Sequence, residues 1–490
     1  MKNSKIIKLL KTFSKEELRE FDKFISSPFF ARGRNVKPFF KVLRQYHPSF
    51  ENETFTAENV YGKLFPGKTF SKNSIDVLKT LSYELNRMCE EYFIQTGIRE
   101  NKSLRNYYLL KKLREKKLYQ MFEKQYIQET TRQRENFGGS VYDLVNRFFL
   151  LETNNEYSVE TRKYKEAIKT MASMDETLLA AGLIRAYRGI EYKHLAVTGF
   201  NMESPANFSD VFLECFDSKN FLLKLKNKSN CLYPYILISH LFYLISEYPD
   251  NFEYYTQFKK VVKENLDKLG HIEKYILLSR MLSYCVEQFD KTNENRILNE
   301  EFEIYNIMFS MRLYKWSEKD NISIHLFRNV VITSFILKKY AWLEKFVRNY
   351  APEVDKKDRN NIKNYAYAHI NFGRKNYRNA LQNIAGIEIN LEEYKIDLKL
   401  LMFKIYYEMG LLEKAFDVVE SMRQYKLRSA GLKSSKKSDI MKIVKFGKEL
   451  LKHKTSSQKM PDDFLLQQLK KEKLLWSGTW FVEKFEELSK

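Results

Sequence analysis

Near the N-terminus, Gly62-Lys-Leu-Phe-Pro-Gly67-Lys68-Thr69 satisfies the spacing G-x-x-x-x-G-K-[ST] of a phosphate-binding loop. That chemistry needs an apolar strand feeding the loop, backbone N–H groups curled round the phosphate, and a helix starting at the lysine. Here the preceding Thr56-Ala-Glu-Asn-Val-Tyr reads as a capped helix. Neither a βαβ alternation nor an apolar strand ending in Asp to hold magnesium accompanies it. The expectation is a Pro-Gly turn joining two helices.

The same stretch has the outline of a helix-turn-helix, with helices over 56–64 and 71–93. Lys68, Lys72, Asn73 and Ser74 would stand where such motifs read base edges. Between Met1 and His47 there are twelve Lys/Arg against four acids, which suits that reading. Any helical hairpin supplies such residues, however, and the connection is long for the motif. DNA reading is therefore the alternative to a plain hairpin.

A second basic stretch lies near the C-terminus, with eleven Lys/Arg against Asp439 and Glu449 from Lys426 to Lys459. Lys442, Lys445, Lys448 and Lys452 recur at three- to four-residue steps on an amphipathic helix expected from Ile440 to Leu451. Such a face either meets anionic lipid or RNA phosphate, or is simply solvated. Phe446 is its one stacking aromatic, which favours the solvated face. The flanking residues 429–437 and 454–459 read as linkers.

The remaining chemistry-bearing residues are scattered. The histidines, at 47, 194, 240, 271, 325, 369 and 453, form no ligand pair. Cys89, Cys215, Cys231 and Cys285 form no C-x-x-C, so neither a zinc site nor a disulfide framework is expected, and a reducing compartment is. Hydrolase and zinc-protease signatures are absent. The chain is read as non-enzymatic, with no cofactor.

The elements that would position any site are helical. Only 16 Gly and 9 Pro punctuate 490 residues, too few for an all-β fold. The 37 Phe and 32 Tyr at helical spacing read as core. Ser14-Lys-Glu-Glu17 is a capping box, stapled by Phe13 and Leu18. Helices are expected from there to Ser27-Pro28, over 36–46, and over 98–135, with a break at Gly138-Gly139. Amphipathic helices follow to about residue 310. The N-terminal residues are a lysine-broken helix face, not a signal-peptide core. No apolar run is long enough to span a membrane, so the cytoplasm is expected. A net charge of +22 admits nucleic acid as a partner, or merely keeps a large helical protein soluble.

One pattern returns in the last third. Tyr340-x-x-Leu343-x-x-x-Val347 is followed by Tyr377-x-x-Ala380-x-x-x-Ile384 and Leu412-x-x-Ala415-x-x-x-Val419, at intervals of 37 and 35 residues. The period is close to the roughly 34 residues of a tetratricopeptide (TPR) helix pair. Helices around 462–473 and 479–488, with Trp476, Trp480, Phe481 and Phe485, read as a closing layer.

On these residues the chain resembles a group of uncharacterised bacterial TPR-like helical-repeat proteins. The likeness rests on Leu9-Leu-Lys-Thr-Phe-Ser-Lys-Glu-Glu-Leu, Ser27-Pro-Phe-Phe, Lys63-Leu-Phe-Pro-Gly, Phe327-Arg-Asn-Val-Val, Tyr340-Ala-Trp-Leu-Glu-Lys-Phe and Tyr406-Tyr-Glu-Met-Gly410. The resemblance implies fold only. Leu343, Val331 and Phe403 stand where that pattern has small residues, which implies helix pairs spaced further apart. Aligned to it, Arg328, Tyr365, His369, Lys404 and Tyr407 fall on the face of the first helices that lines a concave groove. Their types suit a peptide or acidic segment.

The expected architecture is an all-α, right-handed α-solenoid of TPR-like pairs. It comprises a helical domain at 1–97, irregular helical repeats at 98–310, TPR-like repeats at 311–425, and a basic linker with capping helices at 426–490. The expected role is a scaffold that binds a protein or peptide through the concave surface. The alternative is a DNA- or RNA-associated regulatory factor using the basic ends.

Overall fold

The structure is a computed structural model that describes residues 2–30, 33–200, 202–203, 207–292, 294–317, 320–388, 391–428, 434–455, 463–472 and 477–489. Among them every regular element is a helix, and no helix is long and apolar enough to cross a membrane. Trp476 and the expected linker residues 429–433 and 456–459 lie outside the described residues.

The chain divides into two compact units: residues 1–135 with 146–175, and residues 136–145 with 176–490. The first contains α1 (Lys5–Thr12), α2 (Lys15–Phe24), α3 (Lys37–Arg44), α4 (Ala57–Leu64), α5 (Lys72–Glu100), α6 (Lys102–Glu115) and α7 (Tyr119–Glu135). Helices α8 (Val141–Glu160) and α9 (Tyr164–Phe200) contribute to both.

In the first unit, the Ser14 hydroxyl accepts from Glu17 N–H while the Glu17 carboxylate accepts from Ser14 N–H, fixing the start of α2. Phe21 is the hub of an aromatic core, with Phe13, Phe40 and Tyr92 at 5.1–5.5 Å in edge-on contacts. Helix α5 continues past the expected end at Phe93 and stops at Glu100. There the Asn101 side chain turns to cap α6 by accepting from Leu104 N–H.

The second unit adds α10 (Phe208–Cys215), α11 (Ser218–Asn227), α12 (Tyr233–Glu247), α13 (Phe252–Glu264), α14 (His271–Thr292), α15 (Asn295–Ser310), α16 (Ile324–Ile336) and α17 (Tyr340–Tyr350). It ends with α18 (Arg359–Gly373), α19 (Tyr377–Ala385), α20 (Glu392–Glu408), α21 (Leu412–Arg428), α22 (Ser434–Thr455), α23 (Asp463–Lys471) and α24 (Gly478–Ser489). From α14 to α22 each helix packs on the next in sequence, and α18 also meets α16 and α20. Helix α22 starts at Ser434, earlier than the expected Ile440, since nothing between them breaks a helix.

The three anchors Tyr340, Tyr377 and Leu412 are each the first residue of a helix, and Leu343, Ala380 and Ala415 are fully buried. The turn before each anchor is built alike. Lys338, Lys375 and Gly410 sit at φ +55°, +61° and +71°. The next residue's N–H reaches back five positions, Lys339 to Ser334, Asn376 to Asn371 and Leu411 to Tyr406, at 2.8–2.9 Å. These are Schellman turns, which satisfy carbonyls left over at a helix end. Their spacing repeats the intervals of the anchors.

Candidate functional site

Helix α16 carries His325, Arg328, Ile332 and Ile336 at helical spacing along one face. Facing them are Glu393 and Asp397 of α20, Phe289 of α14 and Glu301 of α15. These residues line a cavity of about 380 Å³. A second cavity of about 290 Å³ shares Phe289 and Ile336 and continues onto α23 and α24. The two form one groove.

A polar network lies at its edge. Arg328 Nε–H and Nη2–H donate to the two oxygens of Asp397 at 2.6 and 2.9 Å, and the Tyr365 hydroxyl donates to Asp397 at 2.7 Å. The Tyr394 hydroxyl donates to the Ile324 carbonyl at 2.7 Å, tying α20 to α16 a second time. His369 Nδ1 lies 2.8 Å from the Tyr365 carbonyl, and its ring packs against Tyr365 and Phe335. Asp397 is buried and Arg328 is 21% exposed. Burial works against the guanidinium charge, but Asp397 outweighs it and raises the Arg328 pKa. Burial, reinforced by the Asp397 charge, raises the Tyr365 phenol well above its usual range, and burial pushes His369 down to about 4. The network carries a bidentate charge-assisted pair, a geometry that fixes three helices in register.

The five expected groove positions are thereby redistributed. Tyr365 and His369 are fully buried between α16 and α20. Lys404 is buried with its Nζ 5.4 Å from the Trp480 ring, and burial pushes its pKa well below the usual lysine range. Tyr407 is buried edge-on to Trp480 at 5.5 Å. Arg328 alone reaches the cavity, already bonded to Asp397. Arg328 lies on α16, Tyr365 and His369 on α18, and Lys404 and Tyr407 on the side of α20 that faces α24. Helix α24 covers that side at Lys404 and Tyr407, anchored by Trp480 Nε1–H donating to Glu408 at 2.8 Å and by the Lys484–Glu408 ion pair at 3.1 Å. The expected preference for an acidic segment loses its cations in consequence.

On α22, Lys442 pairs with Glu472 at 2.7 Å and Lys448 with Glu420 at 3.1 Å. Lys445 donates to Gln468 at 3.3 Å, and Lys452 is exposed. Arg423 and Lys448 hold Glu420 at about 2. Half of the expected basic face is thus engaged by acids of neighbouring helices.

Of residues 62–69, Gly62 to Leu64 end α4 and the rest begin the connection to α5. The Lys68 N–H, which a phosphate cradle would aim at its ligand, donates to the Phe65 carbonyl at 3.1 Å, and Lys68 Nζ lies 5.4 Å from the Phe65 ring. Lys72 and Asn73 are exposed at the start of α5, whereas Ser74 is buried and accepts from Ser71 N–H. No group of three or more His, Cys, Asp or Glu among the described residues is arranged to hold a metal. A further cavity of about 540 Å³ lies where the Gly138 loop meets α9 and α14. Its Asp143 accepts from the loop's own N–H groups, and its Arg188 pairs with Glu273 at 2.5 Å.

Asp397 was absent from the sequence reading, although one signal marks it. It occupies a position of the buried stripe formed by Tyr394, Leu400 and Leu401, where an acid requires a buried cation. Compared with known proteins, the chain matches no family model, no curated protein and no solved structure.

Proposed function

We propose that the chain is a non-enzymatic helical-repeat scaffold of the TPR-like kind, a right-handed α-solenoid whose concave side binds a protein or peptide. The observation that carries this reading is the groove itself, bounded by α16 and α20, the first helices of two repeat pairs. Among several helix ends closed by such turns, those at Lys338, Lys375 and Gly410 keep the spacing of the anchors, which supports the repeat assignment. An apolar floor edged by a few oriented polar groups is the usual make-up of a recognition site. Selection of a random peptide library on the folded protein tests it. Enriched peptides should lose binding on Ile336→Lys, with circular dichroism unchanged. A library that enriches nothing would sink the reading.

The second reading is a nucleic-acid-associated regulatory factor, favoured by the +22 charge and by exposed Lys68, Lys72 and Asn73 at the start of α5. It requires DNA or RNA affinity that falls steeply with salt, because each phosphate contact releases counterions. Affinity indifferent to salt would remove it.

A further inference from the structure

Helix α9, unbroken from Tyr164 to Phe200, carries an apolar face that is open to solvent. Its Ala167, Thr170, Thr177, Ala180 and Ile184 are buried. On the opposite side Tyr164, Ile168, Met171, Leu178 and Leu179 are 52–69% exposed. With Asp175 and Gly182 they keep the alternating four- and three-residue steps of a helix-pairing seam. A Cβ added at Gly182 would meet nothing within 4 Å, so the face is still open one turn further on. Singly exposed apolar residues need no explanation, but a continuous row of them marks an interaction surface. The charges along this face are sorted by sign. Lys165 and Lys169 accompany its first turns, and Asp175 and Glu176 the turns that follow. All four are exposed, and none has a hydrogen bond or an ion pair among the described residues. By helical geometry Lys165, Lys169 and Glu176 lie on one flank of the seam and Asp175 lies within it, whereas Glu166 projects about 180° away.

We propose that α9 pairs with α9 of a second copy of the chain, antiparallel, about a two-fold axis between Met171 and Ala172. That axis sets Tyr164 of each copy opposite Leu179 of the other and closes the seam on itself. An antiparallel two-fold also places the same flank of both helices side by side, so the contacts are reciprocal. The Lys165 and Lys169 flank of each copy thereby meets the Glu176 flank of the other. Asp175, the one charge within the seam, faces the Ile168–Lys169 turn of the other copy. A parallel pair would instead set Asp175 against Asp175 and take the cations out of reach. A polar seam residue of this kind fixes the orientation of a helix pair. A foreign partner would account for the apolar row but not for its two-fold sorting of charge. An interface confined to this one helix is of transient size, below about 1,200 Å² in total, so micromolar association is expected. Repulsion between two chains of +22 is screened beyond about 8 Å at physiological salt.

Sedimentation velocity of the full chain across the micromolar range, at physiological salt, tests this pairing. The parent chain should pass from monomer to dimer as concentration rises. Ile168→Lys with Leu178→Lys should leave a monomer of unchanged circular dichroism, since both side chains are exposed. Lys165→Glu with Lys169→Glu should weaken the dimer about tenfold by setting like charges side by side. Adding Asp175→Lys and Glu176→Lys restores the sorting with its signs exchanged and should recover the parent affinity. A parent chain that stays monomeric overturns the inference, as does a dimer untouched by the apolar variant. A dimer that ignores the two-lysine variant, or that the four-charge variant fails to recover, is not paired antiparallel through α9, and overturns it too. None of these results bears on the groove, whose lining comes from other helices.

Discussion

Asp397 accepts two hydrogen bonds from Arg328, which lies 69 positions earlier in the chain, and a third from the buried hydroxyl of Tyr365. One carboxylate thereby links α16, α18 and α20. A buried pair of this kind is no guarantee of net stability, because two charges had to leave water to form it. Its removal from one side is a different matter, since the surviving charge stays buried.

Asp397→Leu should accordingly destabilise the second unit by about 3–5 kcal/mol, read as a fall in the urea midpoint. Adding Arg328→Met should recover most of that loss, because no uncompensated guanidinium then remains. A double variant no more stable than Asp397→Leu alone would show that the pair is not the source of the effect.

The ring of Tyr340, the first repeat anchor, packs on Gly373 at the end of α18. A methyl group there would lie 2.3 Å from the ring carbon Cζ. Gly373→Ala should cost about 1–3 kcal/mol through overpacking. In a Tyr340→Ala background the same change should become neutral or favourable, as alanine exceeds glycine in helix propensity by about 1 kcal/mol. Equal effects in the two backgrounds would exclude the ring as the obstacle. The readout is a double-mutant cycle on the unfolding free energy.

Lys338 and Lys375 hold left-handed backbone conformations that Gly410 adopts without a side chain. Lys375→Gly should stabilise by about 0.5–1 kcal/mol, and Gly410→Ala should destabilise by about 1 kcal/mol, both by chemical denaturation. Opposite signs at equivalent turns would follow from one backbone geometry. Like signs would break the equivalence of the three repeats.

Those lysines also explain what the sequence left hidden. The helix starts at Ser14 and Thr56 were legible because caps are local properties, and Tyr340, Tyr377 and Leu412 were legible as a recurring pattern, though not as helix starts. The equivalent turns were not, because a lysine carries no sign of positive φ. The groove was half legible. Of Arg328, Tyr365, His369, Lys404 and Tyr407, which the register placed together, Arg328 alone lines the cavity and the other four are buried. Whether a side is open depends on what packs there from far along the chain, and Trp480 closes it over Lys404 and Tyr407. The groove that stays open is bounded by residues of α14, α23 and α24, whose spacing obeys no visible repeat.

His369 supplies a pH dependence with a defined sign. Burial holds its folded pKa at about 4, below the value of about 6.5 for an exposed imidazole. Between those values the unfolded chain binds a proton that the folded chain does not, so acid favours unfolding. The stability associated with the neutral ring is complete above about pH 6.5 and is lost as pH falls towards 4, a difference of about 3 kcal/mol. His240, also held at about 4 by burial, contributes with the same sign and remains in any His369 variant. Urea unfolding at a series of pH values should therefore show a shallower decline for His369→Gln than for the parent chain, and the difference between the two curves should be confined to this window. Parallel curves would mean that the imidazole is protonated alike in both states, which is incompatible with its packing between Tyr365 and Phe335.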